Sequence, residues 1–268
     1  MSTMTEPQQE NAKAWHYTRA GRFTASEIGK LFTSPRSLTP EQKERKAKGI
    51  PVFGDTALKL IASKAGERLT GATESFATTR SMDRGTMLEH AARHILSKHW
   101  KPIDQVTFQA YGPNAGATPD GLTDGGHATI DIKCPESFGD VILFDQTIGD
   151  VCDFETLESW DKNYAWQIMM QAKCAGTKYG WLVYFTDRLP LKKLDEIERT
   201  EVQAILDYVG ERMSEENMYP KAYTFASDGF HFSAKRFELT QERSDRIDAV
   251  LSAAEEECRR FMALMQAA

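Results

Sequence analysis

The sequence has 268 residues and a formal net charge of −6, and its hydrophobic and charged fractions are ordinary for a globular protein. That length is enough for one sizeable hydrophobic core. No stretch approaches the roughly 20 apolar residues that span a bilayer, and the polar first residues lack the apolar run of a signal peptide. We therefore expect a protein of the host cell cytoplasm with no membrane partner. The spacing of the four cysteines disfavours an iron–sulfur cluster.

The N-terminal part is predicted to contain a disordered segment, a short helix and a loop. Residues 1–14 are polar and are predicted to be disordered, ahead of a single domain over residues 15–268. Thr24, with Glu27 three residues later, has the pattern of a helix N-terminus in which each side chain accepts a hydrogen bond from the backbone N–H of the other residue. A basic stretch at residues 34–51 is predicted to be a mobile loop with some helix. Apolar residues then recur at helical spacing over two longer segments, residues 57–69 and 85–100.

Three predicted strands follow. Residues 106–111 alternate between apolar and polar side chains, as a half-buried strand does. Residues 117–122 and 128–133 flank a Asp-Gly-Gly-His turn, and both Asp and Gly tolerate the positive φ that a tight turn needs. The sequence therefore predicts a β-hairpin here.

The second half of the chain is predicted to alternate helices and strands. In chain order we predict a helix over residues 160–175, a buried strand over 179–186, a helix over 193–213, a strand over 230–239 and a closing helix whose apolar face is suited to docking on a sheet. Residues 189–228 are predicted to be an insertion. This order is typical of an α/β fold with a mixed, partly antiparallel central sheet flanked by helices.

The most informative pattern is Asp120 followed, after the hairpin turn, by Asp131-Ile132-Lys133. Residues i and i+2 of a strand point to the same face, so Asp131 and Lys133 project together, and the hairpin brings Asp120 beside them. Two carboxylates suit Mg²⁺, the carbonyl of Ile132 is a further ligand candidate, and a lysine neutralises charge that develops on a phosphate. The pattern indicates phosphodiester hydrolysis. The alternative is a surface salt bridge on a polar hairpin, because an isolated Asp-x-Lys triplet is common by chance.

Two helices carry further polar residues at inward-facing positions. Glu89 lies in line with apolar residues of its predicted helix, which turns its carboxylate toward the interior; the alternative is a partly exposed ion pair with Arg93. Gln167 and Gln171 lie one turn apart among large apolar residues, where they are able to hydrogen-bond a phosphate or a metal-bound water. The alternative is two glutamines at a helix edge.

Taken in order, these motifs resemble the lambda exonuclease and YqaJ-type viral recombinase family within the PD-(D/E)xK nucleases. The pieces that carry the resemblance are residues 15–27, Gly85 with Glu89, Thr118 with Asp120, residues 131–135, and Gln167 with Gln171. The resemblance implies a restriction-endonuclease-like core. Members of this family commonly have Glu where this sequence has Asp131, which is one methylene shorter.

The resemblance also implies roles for individual residues. Asp120, Asp131 and Glu89 with the Ile132 carbonyl are implied to bind metal, Lys133 and Gln167 to act in catalysis, and Arg19, Ser26, Thr118 and Gln171 to bind substrate. An arginine fork with hydroxyl groups is suited to a 5′-phosphate. Two Mg²⁺ ions are implied as cofactors, with Mn²⁺ as a substitute.

The function implied is 5′→3′ digestion of one strand of linear double-stranded DNA, which leaves 3′ overhangs for phage-type recombination. The implied partners are double-stranded DNA ends, a single-strand annealing protein and copies of this chain in a ring, with a trimer favoured. Basic residues of such a channel are Lys43, Arg45, Lys46, Lys48, Arg80 and Arg84. Two alternatives stay open: a PD-(D/E)xK endonuclease or repair nuclease, and a non-catalytic protein that binds DNA ends.

Overall fold

The fold is taken from a computed structural model of the chain. It describes residues 18–73, 80–99, 102–186 and 231–267. The predicted disordered N-terminus at residues 1–14, the predicted helix at 193–213 and the predicted insertion at 189–228 lie outside these described residues.

The N-terminal part forms one short strand and a series of helices. They are β1 (Phe23–Thr24), α1 (Ala25–Leu31), α2 (Pro40–Ala47), α3 (Asp55–Thr70) and α4 (Arg80–His99). The predicted start of α1 is confirmed, because the Glu27 carboxylate accepts hydrogen bonds from the Thr24 backbone nitrogen (3.4 Å) and hydroxyl (2.7 Å). The basic stretch contains a full helix, α2, that buries none of its side chains.

The strands form two sheets in the described part of the chain. They are β2 (Gln109–Tyr111), β3 (Ala115–Ala117), β4 (Gly121–Thr123), β5 (Ala128–Lys133), β6 (Tyr179–Thr186) and β7 (His231–Glu238). The smaller sheet has the order β1-β3-β2, and the larger has the order β4-β5-β6-β7. In the larger sheet β5 runs parallel to β6, while β4 and β7 pair antiparallel to their neighbours. The predicted α/β fold with a mixed sheet is confirmed.

The prediction of one continuous strand over residues 117–122 is wrong. β3 ends at Ala117 in the smaller sheet, and β4 begins at Gly121 in the larger one. Pro119 lies between them, and proline has no backbone N–H to donate to a sheet ladder. The break makes Asp120 the last residue before β4 and carries the chain from one sheet to the other. The predicted hairpin itself is confirmed by the antiparallel pairing of β4 with β5.

Four helices complete the described fold: α5 (Phe138–Ile148), α6 (Phe154–Trp160), α7 (Lys162–Ala175) and α8 (Gln241–Gln266). The helix predicted over residues 160–175 is confirmed as α7 but begins two residues later, because Asp161 is extended and its side chain accepts a hydrogen bond from the Tyr164 backbone nitrogen (3.0 Å). α5 was not predicted. Together α5, α6 and α7 form the crossover that parallel pairing of β5 and β6 requires.

α7 is the centre of the main core. Eight consecutive residues of it, Ala165 to Ala172, are buried, and the helix packs on α1, β3, β5 and β6. The prediction that the closing helix docks on a sheet is wrong, since α8 packs mainly on α3 and also on α1 and α7. None of the helices described is long and apolar enough to cross a membrane.

Candidate active site

β5 brings Asp131 and Lys133 together as strand alternation predicts. The Lys133 ammonium lies 2.7 Å from Asp131 Oδ2. Asp131 is only 2% exposed, whereas Lys133 is partly exposed. The pair is therefore not a salt bridge on the protein surface, which was the alternative interpretation of the Asp-x-Lys triplet. It is a buried carboxylate whose counter-ion faces a cavity.

Gln167 and Gln171 of α7 hold the other oxygen of Asp131. Their side-chain amide nitrogens donate to Asp131 Oδ1 at 2.6 Å and 2.8 Å. This contact is possible because α7 packs against β5, and residues four apart on a helix lie on the same face. Gln171 is 2% exposed and lies behind Asp131. Gln171 therefore orients a carboxylate in this structure, and the structure gives it no position from which to bind substrate directly.

Asp120 lies beside the pair at the end of the segment that joins the two sheets. Its backbone nitrogen donates to Ile130 O (3.0 Å), and its Oδ2 accepts from the backbone nitrogen of Ile132 (2.5 Å). Burial raises the pKa of the Asp120 carboxyl well above its ordinary value, and the charges of Asp131 and Glu89 raise it further. Three acidic groups therefore repel one another here, which a bound cation would relieve.

Lys133 stays charged in this environment. Burial acts to lower the pKa of its ammonium, but the charge of Asp131 and the hydrogen bond to it outweigh burial, so the pKa is raised. The ammonium also lies 4.7 Å from the centre of the Tyr164 ring and 3.5 Å from Gln167 Oε1. Tyr164 is a further residue of the site that was not predicted from the sequence. Its position three residues before Gln167, on the same helical face, is the signal that identifies it.

These side chains line one open cavity of about 780 Å³. The lining includes the predicted site residues Glu89, Thr118, Asp120, Asp131, Ile132, Lys133 and Gln167. The lining also includes the aromatic residues Trp160, Tyr164 and Tyr184 and the acidic residues Glu136, Asp140 and Asp161. The cavity thus combines a charged centre with flat apolar surfaces, which suits a nucleotide.

Glu89 reaches the cavity but is engaged by another side chain. It forms an ion pair with Arg93 one turn along α4, which is the alternative that the sequence left open. Within the described ranges, no three Asp, Glu, His or Cys side chains are already placed to hold a metal ion. The donor set nevertheless fits Mg²⁺, because Asp120, Asp131 and Glu89 offer hard oxygen atoms around one cavity, and the charges of Asp131 and Glu89 raise the pKa of Asp120.

The residues predicted to bind a 5′-phosphate are partly assembled. Arg19 Nη2 lies 3.5 Å from Ser26 Oγ. β1 and β3 run parallel, and Thr24 pairs with Gly116. Ser26 and Thr118 each follow two residues after this pair, so both lie near the same end of the two strands. Thr118 lines the cavity, and its hydroxyl oxygen is buried with no hydrogen-bond partner within the described residues. Burial lowers the pKa of Arg19, and the charge of Glu27 opposes that shift.

Comparison with known proteins places the chain in a family. Residues 14–178 match the YqaJ-like viral recombinase domain. The chain belongs to this family. The YqaJ-like match includes the residues of the site except Tyr184, and it ends just before β6. A search of curated protein sequences found no match.

Solved structures share the fold beyond the limits of the YqaJ-like match. An alkaline exonuclease from Laribacter hongkongensis is 20% identical, with a TM-score of 0.61 over 95% of this chain and 96% of that chain. The same enzyme in complex with dAMP gives 19% identity and a TM-score of 0.60 over the same shares. A phage-related exonuclease from Haemophilus somnus 129PT is 15% identical, with a TM-score of 0.59 over 91% of this chain and 96% of that chain. β6, β7 and α8 therefore belong to the shared architecture.

One predicted DNA-contacting residue of this YqaJ-like chain lies elsewhere. Arg84 is fully buried, and its Nη1 donates to the carbonyls of Cys134 (3.3 Å) and Pro135 (3.4 Å), just after Lys133. It supports the end of β5 and is not exposed to solvent. The side chain of Arg80 lies outside the description. Lys43, Arg45, Lys46 and Lys48 are exposed on and just after α2.

Proposed function

We propose that this protein is a Mg²⁺-dependent exonuclease that digests one strand of linear double-stranded DNA from the 5′ end. It leaves a 3′ overhang for recombination by single-strand annealing. Three observations support the proposal: the carboxylate and lysine cluster in the cavity, membership of the YqaJ-like recombinase family, and a fold shared with two exonucleases.

The observation that carries the proposal is the buried Asp131 with the ammonium of Lys133 facing the cavity beside Asp120. A buried ion pair is a poor device for stability alone, because desolvation offsets much of its attraction. Here it presents a fixed cation next to a carboxylate pair. That arrangement suits stabilisation of a phosphodiester whose negative charge increases during cleavage.

Asp120 and Asp131 would hold the metal ions, with Glu89 once it releases Arg93, and the Ile132 carbonyl is a further candidate. A bound divalent metal lowers the pKa of its water and polarises a phosphate oxygen. Gln167 and Gln171 keep Asp131 in one orientation. Lys133 donates hydrogen bonds to the scissile phosphate. The aromatic side chains of Trp160 and Tyr184, which line the cavity, would exclude water from part of the nucleotide.

The proposed polarity depends on Arg19, Ser26 and Thr118 as a pocket for the terminal 5′-phosphate. Each cut creates a new 5′-phosphate, and the pocket would hold it in register for the next cut. A charged hydrogen bond contributes about 1.5–3 kcal/mol, or roughly ten- to a hundredfold in rate. We expect Arg19→Ala to slow initial digestion of a 5′-phosphorylated duplex by about that factor and to leave a 5′-hydroxyl duplex unchanged. Equal slowing on both ends would argue against the pocket.

The proposed partners follow from the family resemblance and from charge. A chain with net charge −6 must still hold DNA. A closed ring of copies, with three favoured, would concentrate the few basic residues around the duplex, and exposed Lys43 to Lys48 are available for this. A single-strand annealing protein would receive the 3′ strand. A stable monomer in sedimentation at micromolar concentration would contradict the ring.

The direct test of function uses linear duplexes labelled at either the 5′ or the 3′ end. We expect Mg²⁺-dependent release of the 5′ label as mononucleotide before any release of the 3′ label, with Ca²⁺ supporting little cleavage. Covalently closed circular duplex should survive. Cleavage of the circle would favour an endonuclease. Binding of DNA ends without any acid-soluble product would favour a non-catalytic end-binding protein.

A further inference from the structure

A polar network lies behind Arg19 and holds the turn that carries it. Arg19 begins a β-turn that closes with the Arg22 nitrogen on Arg19 O (3.0 Å), and Gly21 within this turn has φ of +68°. Two successive residues of α3 form hydrogen bonds with the backbone N–H and the backbone carbonyl of Gly21. The Glu67 carboxylate accepts from Gly21 N at 2.7 Å, and Arg68 Nε donates to Gly21 O at 2.8 Å. Both ends of Gly21 are thus fixed by one helix.

The fit at Gly21 is close. A Cβ added to Gly21 would lie 2.5 Å from Arg68 Cγ, so the arginine side chain passes directly over this residue. The Arg68 guanidinium also lies 5.7 Å from the ring centre of buried Phe23. These contacts leave the turn little freedom to rotate relative to α3. The direction in which the Arg19 side chain leaves the turn is therefore set by Arg68 and Glu67.

The network continues to the last helix of the chain. Arg68 Nη1 donates to both carboxylate oxygens of Glu255 on α8, at 2.9 Å and 2.8 Å. Lys64, which is 5% exposed, joins Glu67 (3.3 Å) to Glu27 (3.2 Å) at the start of α1. Burial of so many charges gives little net stability but restricts them to one geometry. α8 lies beyond the residues that match the YqaJ-like family.

We propose that Glu67, Arg68 and Glu255 are positioning residues that fix Arg19 in the direction needed to bind the terminal 5′-phosphate. The proposal rests on the proposed function, and it makes the C-terminal helix part of the support of the phosphate pocket. None of the three residues touches substrate. Glu67 and Arg68 contact Gly21 in the turn that Arg19 begins, two residues after Arg19, and Glu255 acts on the turn through Arg68.

The test is Arg68→Lys. Lysine keeps the positive charge near Glu255, but its single nitrogen cannot also replace the Nε–H that binds Gly21 O. The readout is the ratio of initial rates on 5′-phosphorylated and 5′-hydroxyl duplexes of one sequence. We expect this ratio to fall by about three- to tenfold, the effect of losing one hydrogen bond, while the rate on the 5′-hydroxyl duplex changes little.

Arg243 provides a matched control. Its Nη1 donates to the backbone carbonyl of Glu238 (2.7 Å), its Nη2 contacts the Glu155 carboxylate (3.2 Å), and its guanidinium lies 4.2 Å from the Phe154 ring centre. It therefore makes the same three kinds of contact as Arg68, away from the Gly21 turn. Arg243→Lys should leave the rate ratio unchanged. An equal fall in both variants would overturn the proposal.

A double mutant separates failure of this inference from failure of the proposed function. With Arg19→Ala already present, Arg68→Lys should cause no further fall in the ratio, because both changes act on one interaction. Additive falls, or an unchanged ratio in Arg68→Lys when Arg19→Ala does lower it, would overturn the positioning role alone. A wild-type protein with no preference for the 5′-phosphate would overturn the pocket as well. If Arg68→Lys does not fold, Glu255→Gln is measured in the same way, and an unchanged ratio overturns the proposal.

Discussion

The two aspartates of the cavity have the same predicted role but very different surroundings. Asp131 lies inside β5 and receives two amide donors and one ammonium within 2.8 Å. Asp120 lies just before β4 and has one backbone donor, from Ile132. Its pKa is raised well above the ordinary value by burial and by neighbouring acids. The Asp131 carboxylate is therefore stabilised by protein groups without a metal ion, whereas a bound cation would stabilise the Asp120 carboxylate more.

The largest expected effect is on turnover. Asp131→Asn, Lys133→Ala and Asp120→Asn should each lower Mg²⁺-dependent cleavage by about a hundred- to a thousandfold, because each removes charge from the centre that would stabilise the reacting phosphate. Release of acid-soluble nucleotide measures this, with circular dichroism as the check on folding. The two Asp changes should also weaken Mg²⁺ binding, whereas the Lys change should not. Near-normal turnover in any of the three would remove that residue from the site.

The second effect is on stability and separates the two aspartates. Because the pKa of Asp120 is raised in the folded protein, folding is favoured when Asp120 is protonated, and this contribution is lost as pH rises through the folded pKa. Asp120→Asn should therefore stabilise the metal-free protein at pH 8 and change it little at pH 4. Asp131→Asn should destabilise it by about 1.5–3 kcal/mol, since Lys133 loses its charged partner.

Thermal unfolding in the presence of a chelator measures both changes. Lys133→Ala provides a control, because it removes the same ion pair from the other side and should also destabilise the protein. If Asp120→Asn and Asp131→Asn shifted the melting temperature in the same direction at pH 8, the contrast between the two aspartates would be wrong.

A third, smaller effect concerns the two glutamines that hold Asp131. Gln171→Leu removes one donor from a buried carboxylate, and we expect about a tenfold loss of turnover from misorientation, without a change in substrate KM. Gln167→Leu should have the larger effect, because Gln167 also faces the cavity and contacts Lys133. A selective rise in KM for Gln171→Leu would restore the substrate-binding role that the sequence suggested.

The smallest effect concerns Arg93, which competes with metal for Glu89. Arg93→Gln removes a partly exposed ion pair of about 0.2–1 kcal/mol. We expect it to lower the Mg²⁺ concentration for half-maximal cleavage by up to about fivefold. Arg260→Gln, which breaks a similar pair with Glu257 on α8, is the control and should have no effect. A higher Mg²⁺ requirement in Arg93→Gln would show that Arg93 supports Glu89 and does not compete for it.

The sequence by itself determined the local parts of this protein. Strand alternation placed Asp131 and Lys133 on one face, and helical spacing placed Gln167 and Gln171 on another. The strands predicted over residues 179–186 and 230–239 also agree closely with β6 and β7. These features depend on residues close together in the chain, so a short window contains the information that fixes them.

The tertiary structure decided which local parts meet. Pro119 divides a predicted strand between two sheets, α8 packs on helices, and Arg84 is buried under the end of β5. Gln171 donates a hydrogen bond to Asp131, which lies 40 residues earlier in the chain. Gly21 contacts Glu67, 46 residues later in the chain, and Arg68 contacts Glu255, 187 residues later. Such choices depend on which surfaces exclude water and pair their charges best, and that competition is settled only when the whole chain packs together.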